Sequence, residues 1–161
     1  MQDMKDLREK NTETQHMEKQ QMESSHAQEE AGMVHLRPHH GLCLLNFRGK
    51  GYSDDFSRNM AEMQEKLMSN PKTRVCITKG ADDLCARCPN RRGSACSSEH
   101  PPLFDANVLR ETCFGYGQIL TWEELSGATR PLSRNRLEET CPDCEWLSLC
   151  KEIVKNSPDM V

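Results

Sequence analysis

Cys85-Ala86-Arg87-Cys88-Pro89, trailed by Cys96, and Cys141-Pro142-Asp143-Cys144, trailed by Cys150, are the two stretches on which the fold turns. Each is a Cys-x2-Cys pair with a third cysteine a few residues later. Two intervening residues let the chain double back, so that both sulfurs face one point, and Asp, Gly or Pro favours such a turn. A single pair is a weak signal. Two pairs, each with a trailing cysteine, point to metal. Read instead as small buried hydrophobes, Cys85, Cys88, Cys96, Cys141 and Cys144 would need apolar neighbours, and theirs are polar loop residues; Cys150 lies on the apolar face of its helix, where packing is the rival reading.

The kind of metal follows less directly. If Cys144 opens a helix, Cys150 lies ~9 Å further along its axis. A tetrahedral zinc with bonds of ~2.3 Å reaches both poorly, whereas a multi-iron cluster spans the gap. Cys88-Pro89 also resembles the Cys-Pro ending of ferredoxin-type motifs. The expected cofactor is therefore an iron–sulfur cluster, of the 4Fe-4S type, with zinc as the alternative. A third constellation joins the pool. In Pro38-His39-His40-Gly41-Leu42-Cys43, a helix puts His39 and Cys43 on one face at i, i+4 and brings His40 to Cys43 at i, i+3. These residues suit metal ligation or acid–base work. The candidate metal ligands are Cys85, Cys88, Cys96, Cys141, Cys144 and Cys150, with Cys43, His39 and His40 in reserve. They exceed the needs of one four-ligand site, so two metals are conceivable. His100 is a further loop histidine, while Cys76 and Cys113 read as core or incidental.

Around these stretches the 161 residues divide by composition. Residues 1–32 hold 8 Asp/Glu against 4 Lys/Arg and carry the whole net charge of −4. Too few apolar side chains lie there to offset the entropy of ordering, so a disordered or fraying helical acidic leader is expected over 1–32. Polar residues interrupt it too often for a secretory signal, and no apolar run elsewhere approaches a membrane span. A cytoplasmic protein follows, in which reduced thiols suit metal better than disulfides. Residues 33–161 form the cysteine-rich domain. Its balanced charge makes nucleic acid an unlikely partner class and leaves an unidentified redox or protein partner.

Within that domain, Val34–Leu36 and Arg74–Thr78 read as short strands. Ser53 caps a helix whose Phe56, Met60, Met63 and Leu67 form one apolar stripe, closed at Asn70-Pro71. Helical patterns recur over His39–Phe47, Leu103–Cys113 and Thr121–Ala128, the last with a capping box to Glu124 and a break at Pro131. Trp146, Leu149, Cys150 and Ile153 mark a C-terminal amphipathic helix. The expected fold is a small, α-rich α+β domain with about five helices, a short two-stranded element and metal-stapled cysteine loops. A phosphate loop fails because Leu44 and Gly51 occupy required positions, and a thioredoxin-type pair fails because Asn90-Arg91-Arg92-Gly93 does not continue a helix.

Taken together, Arg37-Pro38-His39-His40-x-x-Cys43, Gly49-Lys50-Gly51-Tyr52-Ser53, Asp82-Asp83-x-Cys85-x-x-Cys88-Pro89 and Cys141-x-x-Cys144-x-Trp146 resemble a small prokaryotic family. It is known as domain of unknown function twelve-eighty-four, and its members are often labelled iron–sulfur binding. The resemblance runs from about residue 34 to 153 and implies a cluster-binding role for both triplets, His39, His40 and Cys43. It implies no reaction. Electron transfer or redox sensing is the leading expectation; a structural zinc module for protein or nucleic-acid contacts and a metallo-enzyme using His39, His40 and Cys43 are the alternatives. No catalytic residue is assigned, and whether the chain is an enzyme stays open.

Overall fold

The computed structural model describes residues 16–22 and 32–157, and the chain divides into two compact units, Met1–Met33 and Val34–Val161. In the first unit residues 16–22 are helical with exposed side chains. The rest of the expected acidic leader lies outside the described residues. No helix among the described residues is long and apolar enough to cross a membrane.

The second unit begins with β1 (Val34–Leu36), whose Val34 and Leu36 face inward while His35 faces out. A turn at Pro38 leads into α1 (His40–Asn46), and Ser53 opens α2 (Asp54–Ser69). The Ser53 hydroxyl accepts a hydrogen bond from the Phe56 amide at 3.1 Å, and Asp54 and Asp55 occupy the first turn, where the helix dipole favours anions. The chain returns as β2 (Arg74–Ile77), parallel to β1 with Val34 opposite Val75 and Leu36 opposite Ile77. The two-stranded element is thus present, but a third strand, β5 (Ile119–Thr121), extends it antiparallel along the other edge of β2. Only three residues long, β5 offers too little alternation to be read from sequence.

Between β2 and β5 lie a 3-10 turn (Cys85–Arg87), a hairpin of β3 (Arg91–Arg92) and β4 (Ala95–Cys96), and α3 (Pro101–Thr112). After β5 come α4 (Trp122–Asn135), the single turn α5 (Leu137–Thr140) and α6 (Leu147–Asn156). The capping box at the start of α4 forms in both directions: Glu124 accepts from the Thr121 amide at 2.7 Å, and the Thr121 hydroxyl accepts from the Glu124 amide at 3.3 Å. The expected break at Pro131 is absent, and α4 runs through it. Pro131 and Gly127, whose carbonyl loses its helical donor, both face solvent, where water replaces the bond. Meanwhile Trp122, Leu125, Ser126, Thr129, Leu132 and Ser133 keep the opposite face buried. Packing decides, against propensity.

Two apolar clusters form the core. Leu36, Leu44, Leu45, Val75, Ile77, Leu84, Trp122 and Leu125 belong to the larger, between the sheet and the helices. Leu42, Val108, Leu132 and Leu137 form the smaller. Gly41 lets α1 approach α4 closely, since a Cβ there would stand 3.1 Å from the Thr129 methyl.

One glycine places the cysteine hairpin. Gly80 has φ +84°, and a Cβ on it would lie 2.6 Å from the Ser94 carbonyl oxygen, which accepts a 2.8 Å hydrogen bond from the Ala81 amide. Gly80→Ala combines left-handed strain with a backbone clash, and we expect a loss of about 2 kcal/mol of stability. Urea unfolding of the full chain checks this; an unchanged midpoint would mean that the hairpin is not seated through Gly80.

Candidate metal centre

The 3-10 turn that carries the first cysteine pair is built on one carboxylate. Asp82 Oδ1 accepts from the amides of Leu84 and Cys85 at 3.0 and 3.1 Å. Its Oδ2 accepts from the Arg37 amide at 2.6 Å and meets His40 Nδ1 at 2.6 Å. Burial alone would raise this carboxyl, but the facing His40 ring and these hydrogen bonds outweigh it and hold Asp82 far below the usual range. From the other side, the Asn59 amide of α2 donates to the carbonyls of Asp83 and Leu84. The Cys88 amide then closes on the Cys85 carbonyl at 3.1 Å, and the hairpin, with Arg91 opposite Cys96, folds Cys96 back toward the pair.

The second triplet repeats the device. The Cys144 amide donates to the Cys141 carbonyl at 3.3 Å, Leu147 donates to Cys144, and Cys150 follows in the first turn of α6. Asp143 supplies the reversal with φ +59°, a left-handed backbone that Asp tolerates better than most residues. In each triplet backbone amides just downstream favour the thiolate of the second cysteine: those of Asn90 and Arg91 for Cys88, and those of Trp146 and Leu147 for Cys144. The Cys96 sulfur accepts a hydrogen bond from the Ser98 amide at 3.4 Å.

All seven of these cysteines, counting Cys43 of α1, line one cavity of about 390 Å³, together with His39 and His40. Tyr52, Phe56 and Trp146 wall one side, the Tyr52 ring edge-on to each of the others at 5.3 Å. His100, exposed at the start of α3, reaches the same cavity. Cys76 sits on β2 and Cys113 is exposed at the end of α3, and neither lines it.

Both histidines are oriented by acids. Arg37, buried at the end of β1, donates through Nε and Nη2 to Asp105 Oδ2 at 2.9 and 2.7 Å, and Asp105 Oδ1 lies 2.5 Å from His39 Nδ1. A carboxylate facing Nδ1 selects the tautomer with the proton there and leaves the lone pair on Nε2. The same holds for His40 against Asp82. This carboxylate–histidine arrangement is the one that metal-ligating histidines commonly use. Burial, helped by the neighbouring His40, pushes His39 down from 6.5 to about 4 despite Asp105, so it is neutral at pH 7.

Asp105 and Asn46 escaped the sequence reading. Asp105 stands between Phe104 and Val108 on the buried face of α3, and an acid set in an apolar stripe was the available sign. Asn46 had none. It is 3 % exposed, its Oδ1 accepts from the Ser133 hydroxyl at 3.0 Å, and its Nδ2 has no hydrogen-bond partner of ordinary geometry among the described residues. That amide lines the cavity beside Cys150, whose thiolate it favours.

The donor set fits a cationic centre. Burial first, then neighbouring sulfurs, raises the Cys43 thiol well above its ordinary value and pushes Cys141 up to about 12 and Cys150 to about 11. Burial and the Asp82 carboxylate bring Cys85 to about 12. Thiols so crowded ionise together only around a strong positive charge, and the orphaned Asn46 amide is a ready donor to a sulfur there.

A family model described as "Protein of unknown function (DUF1284)" matches residues 51–150. The chain belongs to this family. The family match takes in both cysteine triplets and begins after His39, His40 and Cys43. No curated protein and no solved structure matches the chain.

His39 gives the metal-free protein a pH signature. Because its folded pKa lies below the unfolded value, the unfolded chain binds the proton first, and stability falls as pH drops from 6.5 to about 4. We expect a loss of up to about 3 kcal/mol across that window in urea titrations. Asp82 and Asp105, with lowered pKa values, add their losses only below about 3.8. His39→Gln should flatten the upper window; equal slopes in both proteins would contradict a buried neutral His39.

Proposed function

We propose that the chain is a cytoplasmic iron–sulfur protein of electron-transfer or redox-sensing type, its cluster held by thiolates of the shared cavity. The observation that carries this reading is the convergence of seven cysteine sulfurs, from three separated segments, on one cavity. Spacing supports iron over zinc. Four thiolates around one tetrahedral ion stand ~3.8 Å apart, given bonds of ~2.3 Å. Among the described residues, the trio of His, Cys, Asp or Glu ligand atoms that closes to within 4.8 Å is His40, Asp82 and Cys85, and no three sulfurs do so. A cluster of the 4Fe-4S type takes more widely spaced thiolates. The amide donors to Cys88, Cys96 and Cys144 are of the kind that tune such clusters. When bound, the cluster would supply a one-electron couple; the protein's own groups hold it, shield it and set its potential.

Anaerobically purified protein should be brown and carry iron with an equal amount of acid-labile sulfide. Colourless protein with stoichiometric zinc and no sulfide would replace this reading with the structural zinc module.

Asn46 gives a finer test. Its Nδ2–H bonds best to the sulfur of the more negative, reduced state, so it raises the potential. Asn46→Leu should shift the midpoint to more negative values, on the order of 60 mV if the bond favours the reduced state tenfold. Ser133→Ala, which frees the amide to turn, should move it the same way by less. Unchanged potentials in both would remove Asn46 from the centre.

A second reading, a metal-dependent enzyme, draws on the lone pairs that Asp105 and Asp82 leave on His39 and His40 at the cavity wall. Such nitrogens suit proton transfer to a small molecule beside the metal.

A further inference from the structure

Seven thiols are more than one cluster takes. A single iron–sulfur cluster is satisfied by four protein ligands, so a single-centre cavity would leave three of its thiols with nothing to bind. The fold sorts the seven into two groups. Cys141, Cys144 and Cys150 are held by the second turn and the start of α6, and α1 brings Cys43 to them. α1 packs against α6, and Leu42, next to Cys43, shares the smaller apolar cluster with Cys150. Burial first, then the sulfurs of Cys141, Cys150 and Cys144, raises the Cys43 thiol, with Asp82 acting from the other side. Cys141 in turn feels Cys144 and Cys150. Cys85, Cys88 and Cys96 belong instead to the 3-10 turn and the β3–β4 hairpin, and the thiol that weighs on Cys88 is Cys96.

The second group lacks a fourth sulfur. Asp82 cannot complete it, because Arg37, His40, Leu84 and Cys85 already occupy both its oxygens. His40 can. A ring nitrogen lies within 4.8 Å of the Cys85 sulfur, its Nδ1 is pinned by Asp82, and it lines the cavity.

We propose that the cavity holds two metal centres, one on Cys43, Cys141, Cys144 and Cys150, the other on Cys85, Cys88, Cys96 and His40. As iron–sulfur centres they rest on the function proposed above; as two ligand sets they do not. The histidine makes them unequal, since a neutral nitrogen in place of a thiolate leaves one negative charge fewer and raises the potential of the second centre. Two unequal centres in one cavity provide a short electron path between them.

The test uses the full chain reconstituted without oxygen from ferrous iron and sulfide. Cys144→Ser should abolish the first centre and Cys88→Ser the second. Each variant should carry half the iron and sulfide of the wild type, and the double variant none. Cys88→Ser with undiminished iron, or the loss of all iron in either folded variant, overturns two centres. Native mass spectrometry of the unaltered chain gives an independent count, in which one centre per chain overturns the proposal whatever the variants do. In the Cys144→Ser background, pulsed EPR of the reduced protein should show nitrogen coupling that disappears in His40→Ala; coupling that is absent or survives removes His40 as the ligand. If neither iron nor sulfide loads, the iron–sulfur reading fails by itself, and zinc titration decides the pairing. Two zinc ions per chain, falling to one in either variant, uphold it, and a single ion overturns it.

Discussion

The Asp82 carboxylate is the point on which the site depends. Four donors converge on its two oxygens: the Arg37 amide at the end of β1, the His40 ring at the start of α1, and the amides of Leu84 and Cys85 in the cysteine turn. One buried side chain thus sets a strand end, a histidine and a pair of thiols in a common frame. Removing it would strand buried donors, each worth about 1–3 kcal/mol when left without a partner. Asp105 does the same for α3, gathering Arg37 and His39 on its own two oxygens. The two acids share Arg37, one through its backbone and the other through its guanidinium.

The apolar core and the cavity divide the labour. Leu36, Leu44, Val75, Ile77 and Leu125 are almost wholly buried and hold the sheet against α1 and α4. The segments between β2 and α3 contribute little to that core beyond Leu84, and they carry the first cysteine triplet. Their order comes from hydrogen bonds such as those of Asp82 and Asn59, and from the seat of the hairpin at Gly80. Burial without ionic compensation keeps the thiols neutral, which makes the protein on its own a neutral cage that a cation converts to an anionic one.

The local parts of this architecture were legible in the sequence. Ser53 and Thr121 announced helix starts because capping is a contact between near neighbours, and the stripe from Phe56 to Leu67 announced a buried face because helical periodicity is local too. The cysteine triplets were legible for the same reason, since two residues between sulfurs define a turn. What stayed hidden depends on distant partners. β5 exists because β2 offers it an edge, and α4 passes Pro131 because its other face is packed. Asp105 and Asn46 gain meaning only from His39, 66 residues away from Asp105, and Ser133, 87 residues away from Asn46.

Helix α6 has one buried apolar residue, Ile153, and enters the cavity through Cys150 in its first turn. With the proposed centre bound, its hold on the body would be partly inorganic. Oxidative loss of that centre would loosen α6 before the sheet, opening this helix to proteases while the remainder is still folded. A protein so fastened would carry its own damage report, the integrity of the bound centre being read out as the protection of one helix.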